Sequence, residues 1–165
     1  MSVVIRPIRL EDASGYRDAL GQVAAERVYI LLLETPPLEQ AEAFVKNNIE
    51  NGNAHFIALN NQEVVGWADC VALTRKGTEH VGRLGMGIIN GYRRQGIGSR
   101  LLNKTLSHAW KQGLTRVELE VYADNEPAIH LYKKAGFKLE GVRKYARLLD
   151  GVYQDIFMMA QYRVT

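Results

Sequence analysis

Gly91-Tyr92-Arg93-Arg94-Gln95-Gly96-Ile97-Gly98-Ser99-Arg100 is the stretch that decides the fold. It follows an apolar, strand-like run, Val81 to Ile89, and opens a helix predicted over Gln95 to Gln112. That helix has Ile97, Leu101, Leu102, Leu106 and Ala109 at helical spacing, with Gly113 as its stop. A helix N-terminus offers unpaired N–H groups and the positive end of a dipole. Glycines such as Gly96 and Gly98 let a phosphate approach that backbone, and Arg93, Arg94 and Arg100 add positive charge. The plainer reading is a glycine-softened turn with solvated arginines. Two nucleotide loops fail on spelling. A Walker loop requires Lys-Ser/Thr where Ile97-Gly98 stands, and a dinucleotide fingerprint requires glycine where Leu101 stands. The part of the chain before this turn also lacks the alternating βαβ order of that fold.

Outward from this turn, the same reasoning predicts a strand over Val3–Ile8 and a helix capped by Asp12 or Ser14. An apolar run, Tyr29–Leu33, ends at Glu34-Thr35-Pro36-Pro37. A second helix is predicted from Leu38 to about Asn51, with Ala41, Phe44, Val45 and Ile49 as its apolar face. Strands follow over His55–Leu59 and Val64–Leu73, then Val81–Ile89. Past the central helix come a strand over Val117–Tyr122 and a helix over Asn125–Ala135, capped by Asp124 or Asn125. The last unit is a hairpin, Phe137–Leu149 and Val152–Tyr162, turning at Asp150-Gly151. The order β-α-α-β-β-β-α-β-α-β-β is an α+β arrangement around a mixed sheet. With no repeat, linker or low-complexity tract, residues 1–165 read as a single domain.

Composition narrows the class. The chain has 165 residues, 47% hydrophobic and 24% charged, which is ordinary for a globular protein. The single cysteine, Cys70, excludes an intramolecular disulfide framework and fits a reducing, cytoplasmic setting. The N-terminus has no apolar stretch behind a basic start, so a cleaved secretion signal is not expected, and no run approaches a membrane span. The net charge of +3 permits an anionic partner without requiring nucleic acid. His55, His80, His108 and His130 lack metal-ligand spacing, so no metal site is expected.

A second motif makes the glycine turn specific. Arg93-Arg94-Gln95-Gly96-Ile97-Gly98 matches the Arg/Gln-x-x-Gly-x-Gly/Ala signature of the GNAT superfamily of N-acetyltransferases. About thirty residues on, Asn125-Glu126-Pro127-Ala128-Ile129-His130-Leu131-Tyr132-Lys133-Lys134-Ala135-Gly136-Phe137 resembles that family's Asn-x-x-Ala-x-x-x-Tyr-x-x-x-Gly-Phe segment. The tail from Gly136 to Asp155 is similar to the branch of amino-acid, phosphinothricin-type and ribosomal-protein acetyltransferases. The resemblance implies a three-layer α/β/α fold, with a mostly antiparallel sheet splayed between its middle strands. It implies acetyl-CoA as acetyl donor, its pyrophosphate held by the amides of Arg94, Gln95, Gly96, Ile97, Gly98 and Ser99, with Arg93 nearby. Met86, Gly87 and Ile88 would offer backbone groups to the pantetheine arm, and Asn125 a side-chain hydrogen bond. Tyr132 would be the general acid toward the departing thiolate.

Each assignment has a competing structural reading. Asn125 is also a natural helix cap, and Tyr132 a natural packed aromatic. Lys133 and Lys134 are solvated helix residues or a contact to the CoA 3′-phosphate. The base is open among Glu79, His80, Glu118, Glu120 and a water relay. Glu34 is a candidate acceptor-binding carboxylate or a surface charge; Trp67 and Tyr145 could line the acceptor pocket or only pack. Direct transfer needs no covalent intermediate, which leaves Cys70 as a core residue. The expected function is acetyl transfer to a primary amine of a small molecule, such as an amino acid, toxin or antibiotic. The alternatives are a protein N-terminal or lysine acetyltransferase and a CoA-binding module without turnover. A homodimer is plausible from the resemblance.

Overall fold

The computed structural model describes residues 2–164. Among these the chain forms seven strands and four helices. They are β1 (Val3–Pro7), α1 (Ala13–Ala25), α2 (Leu38–Glu50), β2 (Ala54–Asn60), β3 (Glu63–Ala72) and β4 (Val81–Ile88), then α3 (Ile97–Lys111), β5 (Arg116–Tyr122), α4 (Glu126–Lys134), β6 (Lys138–Leu149) and β7 (Val152–Tyr162). One sheet contains all the strands in the order β1-β2-β3-β4-β5-β7-β6. Every neighbouring pair is antiparallel except β4 and β5.

Alternation along the strands sorts the helices onto two faces. A side chain at Gly98 in α3 would meet Ile88 and Met86 of β4 and Leu131 of α4, so even-numbered β4 residues face α3 and α4. Odd-numbered Gly87 lies under the Trp67 ring, which packs edge-on against Tyr16 of α1. The sheet is therefore the middle of three layers. The buried face of α3 is the predicted stripe of Ile97, Leu101, Leu102, Leu106 and Ala109.

Two details depart from the sequence expectation. Asp12 does not cap α1 with its side chain. Its carboxylate instead accepts from Arg6 at 2.7 and 2.8 Å and from the Arg9 amide, closing a 3-10 turn over Leu10–Asp12. In α2, Ile49 is exposed and Asn48 is fully buried. Ala41, Val45 and Asn48 stand at i, i+4 and i+7 toward the sheet, and Ile49 is turned about 100° away. The buried amide is satisfied, donating to His55 Nδ1 at 3.2 Å and accepting from Asn53 at 3.2 Å.

The final hairpin turns at Asp150-Gly151, both at positive φ (51° and 77°), as a two-residue turn demands. A register irregularity between Arg143 and Arg147 re-aims the strand. Tyr145, at φ 52°, points outward and is 72% exposed, whereas Arg147 is buried.

Candidate functional site

The sheet opens in its middle. β4 and β5 pair only at Val81↔Arg116, Gly82↔Val117 and Arg83↔Glu118. Beyond Arg83, β4 stays paired to β3 through Met86↔Ala68, Gly87↔Trp67 and Ile88↔Gly66, while β5 turns away toward β7. The Ile89 amide donates to Val65 on the β3 side. Strand alternation then directs the backbone groups of Ile88 and Met86 to the opened side, where no strand meets them. Gly85 to Ile88 are accordingly half-buried. Gly87 has no room for a side chain, because a Cβ would collide with Trp67.

The glycine turn closes one end of this opening. Arg94 (φ 60°) and Gly96 (φ 78°) are left-handed. Arg100 makes the first helical bond, back to Gly96, which leaves the Ile97, Gly98 and Ser99 amides as orphan donors of the first turn. The two glycines differ in role. Gly96 has open space where a side chain would be, so a ligand can approach. Gly98 is buried, and a Cβ there would sit 3.3 Å from both Ile88 and Leu131, so it seats α3 against β4 and α4.

The arginines are less available than the sequence suggests. The Arg93 guanidinium is held by both oxygens of Glu26 at 2.8 and 2.5 Å, donates to the Ile88 carbonyl at 2.8 Å and lies 4.4 Å from the Tyr29 ring centre. It fastens the turn to the end of α1, so its charge is already neutralised. Arg100 donates to the Val3 carbonyl at 2.9 Å. Arg94 is exposed, and Gln95 donates to the Gly91 carbonyl at 2.9 Å.

On α4, the Asn125 side-chain oxygen accepts from the Ala128 amide at 3.3 Å, so Asn125 is the helix cap. Its amide NH2 has no partner among the described residues and can donate elsewhere. Asp124 is not a cap; it accepts from Gln154 at 2.9 Å. Tyr132 is buried with its ring edge-on to Phe137, centroids 5.8 Å apart. Its hydroxyl makes no hydrogen bond among the described residues, and burial raises its pKa above the usual tyrosine range. It is both a packed aromatic and a proton-bearing phenol.

The α1 face holds a group the sequence did not single out. Asp69 is buried on β3, opposite Gly85 on β4 and His55 on β2. Its carboxylate makes no hydrogen bond among the described residues, and burial pushes its pKa up to about 7. Because Gly85 has no side chain, both Asp69 oxygens reach the space over it, 3.6 Å from where a Cβ would stand. Tyr16 covers this floor, packing against His55 at 4.9 Å and Trp67 at 5.9 Å. Burial lowers the His55 pKa to about 4, so its ring is neutral. Its Nε2 is buried without a partner among the described residues. Asp69 lay unnoticed in an apolar strand run; the alternation Trp67-Asp69 beneath one face was the available signal.

Of the bases weighed from sequence, the two before β4 lie far from the gap and the two on β5 are ion-paired. Glu79 and His80 precede β4 at the paired end of the V, away from its opening. Glu118 is held by Arg83 and Arg116, and Glu120 by Arg143 at 2.7 Å. Glu34 is exposed in the α1–α2 connection without a partner among the described residues. Trp67 packs in the core; Tyr145 is on the outer surface against Tyr153. Cys70 is fully buried with its thiol pushed up to about 12, which suits a core residue and not a nucleophile.

Among the described residues no cluster of three His, Cys, Asp or Glu is placed to hold a metal, and no helix is long and apolar enough to cross a membrane. Two surface grooves, about 420 and 520 Å³, run along the outer side of α3 and touch neither the opened strand edge nor Tyr132.

Comparison with known proteins agrees with this geometry. Residues 25–137 match the model of the acetyltransferase (GNAT) family. The chain is 29% identical to the L-amino acid N-acetyltransferase AaaT of Escherichia coli K12, over 98% of both chains. It is 36% identical to an N-alpha-acetyltransferase of Sulfurisphaera tokodaii, over 71% of this chain and 74% of that one. It superposes on yncA of Salmonella typhimurium, a putative acetyltransferase solved with its cofactor acetyl-CoA, with a TM-score of 0.91 and 16% identity. That likeness covers 98% of this chain and 94% of the other. An opened β4 edge, an amide-rich glycine turn at its end and a buried phenol on the next helix thus occur in a chain that belongs to the GNAT family of acetyltransferases.

Proposed function

We propose that the chain transfers acetyl from acetyl-CoA directly to the primary amine of a small molecule, with amino acids as the favoured acceptors. The divergence of β4 from β5 beyond Arg83 carries this reading, since it leaves the Met86 backbone groups and the Ile88 amide open beside the orphan amides of α3. An extended, amide-rich ligand satisfies such an edge as an added strand would. The amides of Arg94 to Ser99 receive its pyrophosphate, Gly96 gives the approach, and the Asn125 NH2 donates toward the pantetheine arm. Arg93 acts by fixing the turn through Glu26 and the Ile88 carbonyl. Gly87 acts by admitting Trp67.

Acetyl-CoA supplies an activated thioester. The acceptor nitrogen bonds to the acetyl carbon, a β4 amide steadies the developing oxyanion, and the carbon–sulfur bond breaks. Tyr132 gives its proton to the sulfur, which leaves as a thiol, and the second proton, lost by the nitrogen as the tetrahedral species collapses, restores the phenol. Asp69, with a pKa of about 7, accepts the proton lost by the ammonium, through water lying over Gly85. Glu34, exposed in the α1–α2 connection, is the candidate ammonium contact.

The 29% identity to an L-amino acid acetyltransferase supports a small acceptor. The 36% identity to an N-alpha-acetyltransferase supports a second reading, a protein N-terminus as acceptor. Thiol release from acetyl-CoA, measured over amino acids, other small amines and short peptides with mass detection of product, separates the two. Turnover of amino acids in wild type, lost in Tyr132→Phe, supports the first. Turnover of peptides alone replaces it with the second. Tight CoA binding with no turnover on any acceptor leaves a CoA-binding module.

The reading treats residues 1–165 as one catalytic domain, because every strand joins one sheet. Exposed Leu148, Val152 and Tyr153 on the last hairpin support a homodimer through that face. The reduced, buried Cys70 supports a cytoplasmic setting.

A further inference from the structure

Arg147, like Asp69, is an ionisable group that the fold buries without an opposite charge among the described residues. It is 9% exposed on β6. Its guanidinium donates to Gln154 Oε1 at 2.6 Å and to the Arg27 carbonyl at 3.0 Å, and stacks 4.7 Å from the centre of the Tyr122 ring. All three partners are neutral, and Arg147 has no salt bridge among the described residues. The contrast with its neighbours is direct. Arg143 takes Glu120, Arg27 takes Asp150 and Lys144 takes Asp155. Asp124 reaches Arg147 only through the amide of Gln154. The end of α1 contributes a carbonyl dipole and no full charge, because Arg27 adopts φ 60° just past the helix and presents its oxygen.

A buried cation is expensive unless an anion meets it. A guanidinium has more N–H donors than these two bonds use. The Tyr122 ring stacked on it carries a hydroxyl that is buried and has no partner among the described residues. Tyr122 is 3% exposed and stands at the C-terminal end of β5, on the strand that has parted from β4. With Glu118 and Glu120 it faces the α1 side of the sheet, opposite Val117 and Leu119 of the core. A guanidinium with spare donors and an unpartnered phenol therefore sit on stacked residues where the opened sheet meets the end of α1 and the last hairpin. The bulge between Arg143 and Arg147 serves this placement, turning Tyr145 out and Arg147 in.

We propose that Arg147 and Tyr122 form a carboxylate subsite that selects acceptors carrying a carboxylate beside the primary amine, as a free amino acid does. The guanidinium offers a planar donor pair, which suits a carboxylate, and the phenol adds a third donor. The proposal rests on the small-amine acetyltransferase reading given above and narrows its substrate class. It also explains why the charge is kept: bound acceptor, not a protein side chain, is its counter-ion. A peptide N-terminus lacks the adjacent carboxylate and would leave the arginine uncompensated.

The test compares each standard L-amino acid with its own carboxamide, using wild type, Arg147→Met, Arg147→Lys and Tyr122→Phe. In wild type the free acid should have a kcat/KM at least about tenfold above the amide. Arg147→Met should erase that ratio by raising KM for the acid alone, Arg147→Lys should keep part of it, and Tyr122→Phe should reduce it less. The KM for acetyl-CoA should not move. Equal turnover of acid and amide by wild type overturns the proposal. So does an equal loss on both in Arg147→Met, which marks a merely structural arginine, or a rise in acetyl-CoA KM, which assigns the charge to the donor. If no amine is acetylated at all, the enzyme reading fails separately. The subsite is then decided by binding: a Tm rise with free amino acids, absent with amides and absent in Arg147→Met, supports it, and no such difference overturns it.

Discussion

The two faces of the opened sheet are built on opposite plans. The α3 and α4 face is written in short motifs: a glycine turn, a capped helix, a tyrosine two turns along it. The α1 face is written in single residues from distant strands. Asp69 on β3 and Arg147 on β6 meet no local pattern, yet both are buried ionisable groups without an opposite charge among the described residues. On the proposed function the first face handles a donor that is the same in every turnover, which fits a geometry carried by backbone and glycine. The second must choose an acceptor, so it depends on side chains placed by tertiary packing. What unites them is the gap that β4 and β5 leave beyond Arg83.

The largest effect expected on the motif face is from Tyr132→Phe. It removes the proposed proton donor and keeps the ring against Phe137, so kcat should fall about a hundredfold or more while the Kd for CoA holds. Steady-state kinetics beside CoA titration reads both.

On the other face, Asp69→Asn should lower kcat by a comparable or smaller factor and flatten the pH profile. Wild-type kcat/KM should rise with pH through about 7 as Asp69 loses its proton. Its effect on stability has the opposite sign. The folded pKa lies above the usual carboxylate value, so the folded state binds more protons and stability declines from about pH 4 to about pH 7. Asp69→Asn should therefore raise Tm at pH 8 while it lowers activity. His55 supplies the acid limb. Its folded pKa of about 4 lies below the usual value, so its contribution is present above about 6.5 and is lost as pH falls toward 4. The two ramps overlap and oppose each other between about pH 4 and 6.5, so wild-type melts should change little there, whereas Asp69→Asn, keeping only the His55 ramp, should gain stability as pH rises over the same range.

Gly87→Val should cost about 1–3 kcal/mol by overpacking against Trp67, read by urea unfolding, and should raise the KM for acetyl-CoA because it distorts the opened strand. Gly96→Ala is milder: the left-handed φ of 78° costs about 1 kcal/mol without a clash, since the space beside it is open. The smallest effect is Glu26→Gln. It loosens the tether of Arg93 at a partly exposed pair, worth about 1 kcal/mol or less, and should raise the acetyl-CoA KM only slightly.

These differences explain what could be read in advance. Periodicity located every strand and helix to within a few residues, because apolar stripes such as Leu101, Leu102 and Leu106 follow the local repeat. The glycine turn was legible because a left-handed φ at Gly96 and close packing at Gly98 each require glycine. The neutralisation of Arg93 by Glu26 was not, since the two are 67 positions apart and meet only when α1 packs beside the turn. Asp69 was hidden for a related reason. A carboxylate inside an apolar strand looks like an interruption until Gly85 on the neighbouring strand is seen to leave it room. The double use of Asn125, oxygen to the helix and NH2 outward, needed coordinates to resolve.

The central claim is that the parted edge of β4 and the first turn of α3 receive acetyl-CoA. Amide hydrogen exchange of the protein with and without acetyl-CoA tests it residue by residue. The account predicts slowed exchange at Met86, Ile88 and Ile97 to Ser99, with no matching change along the grooves on the outer side of α3. Unchanged exchange at those amides, or protection confined to the outer side of α3, would contradict it.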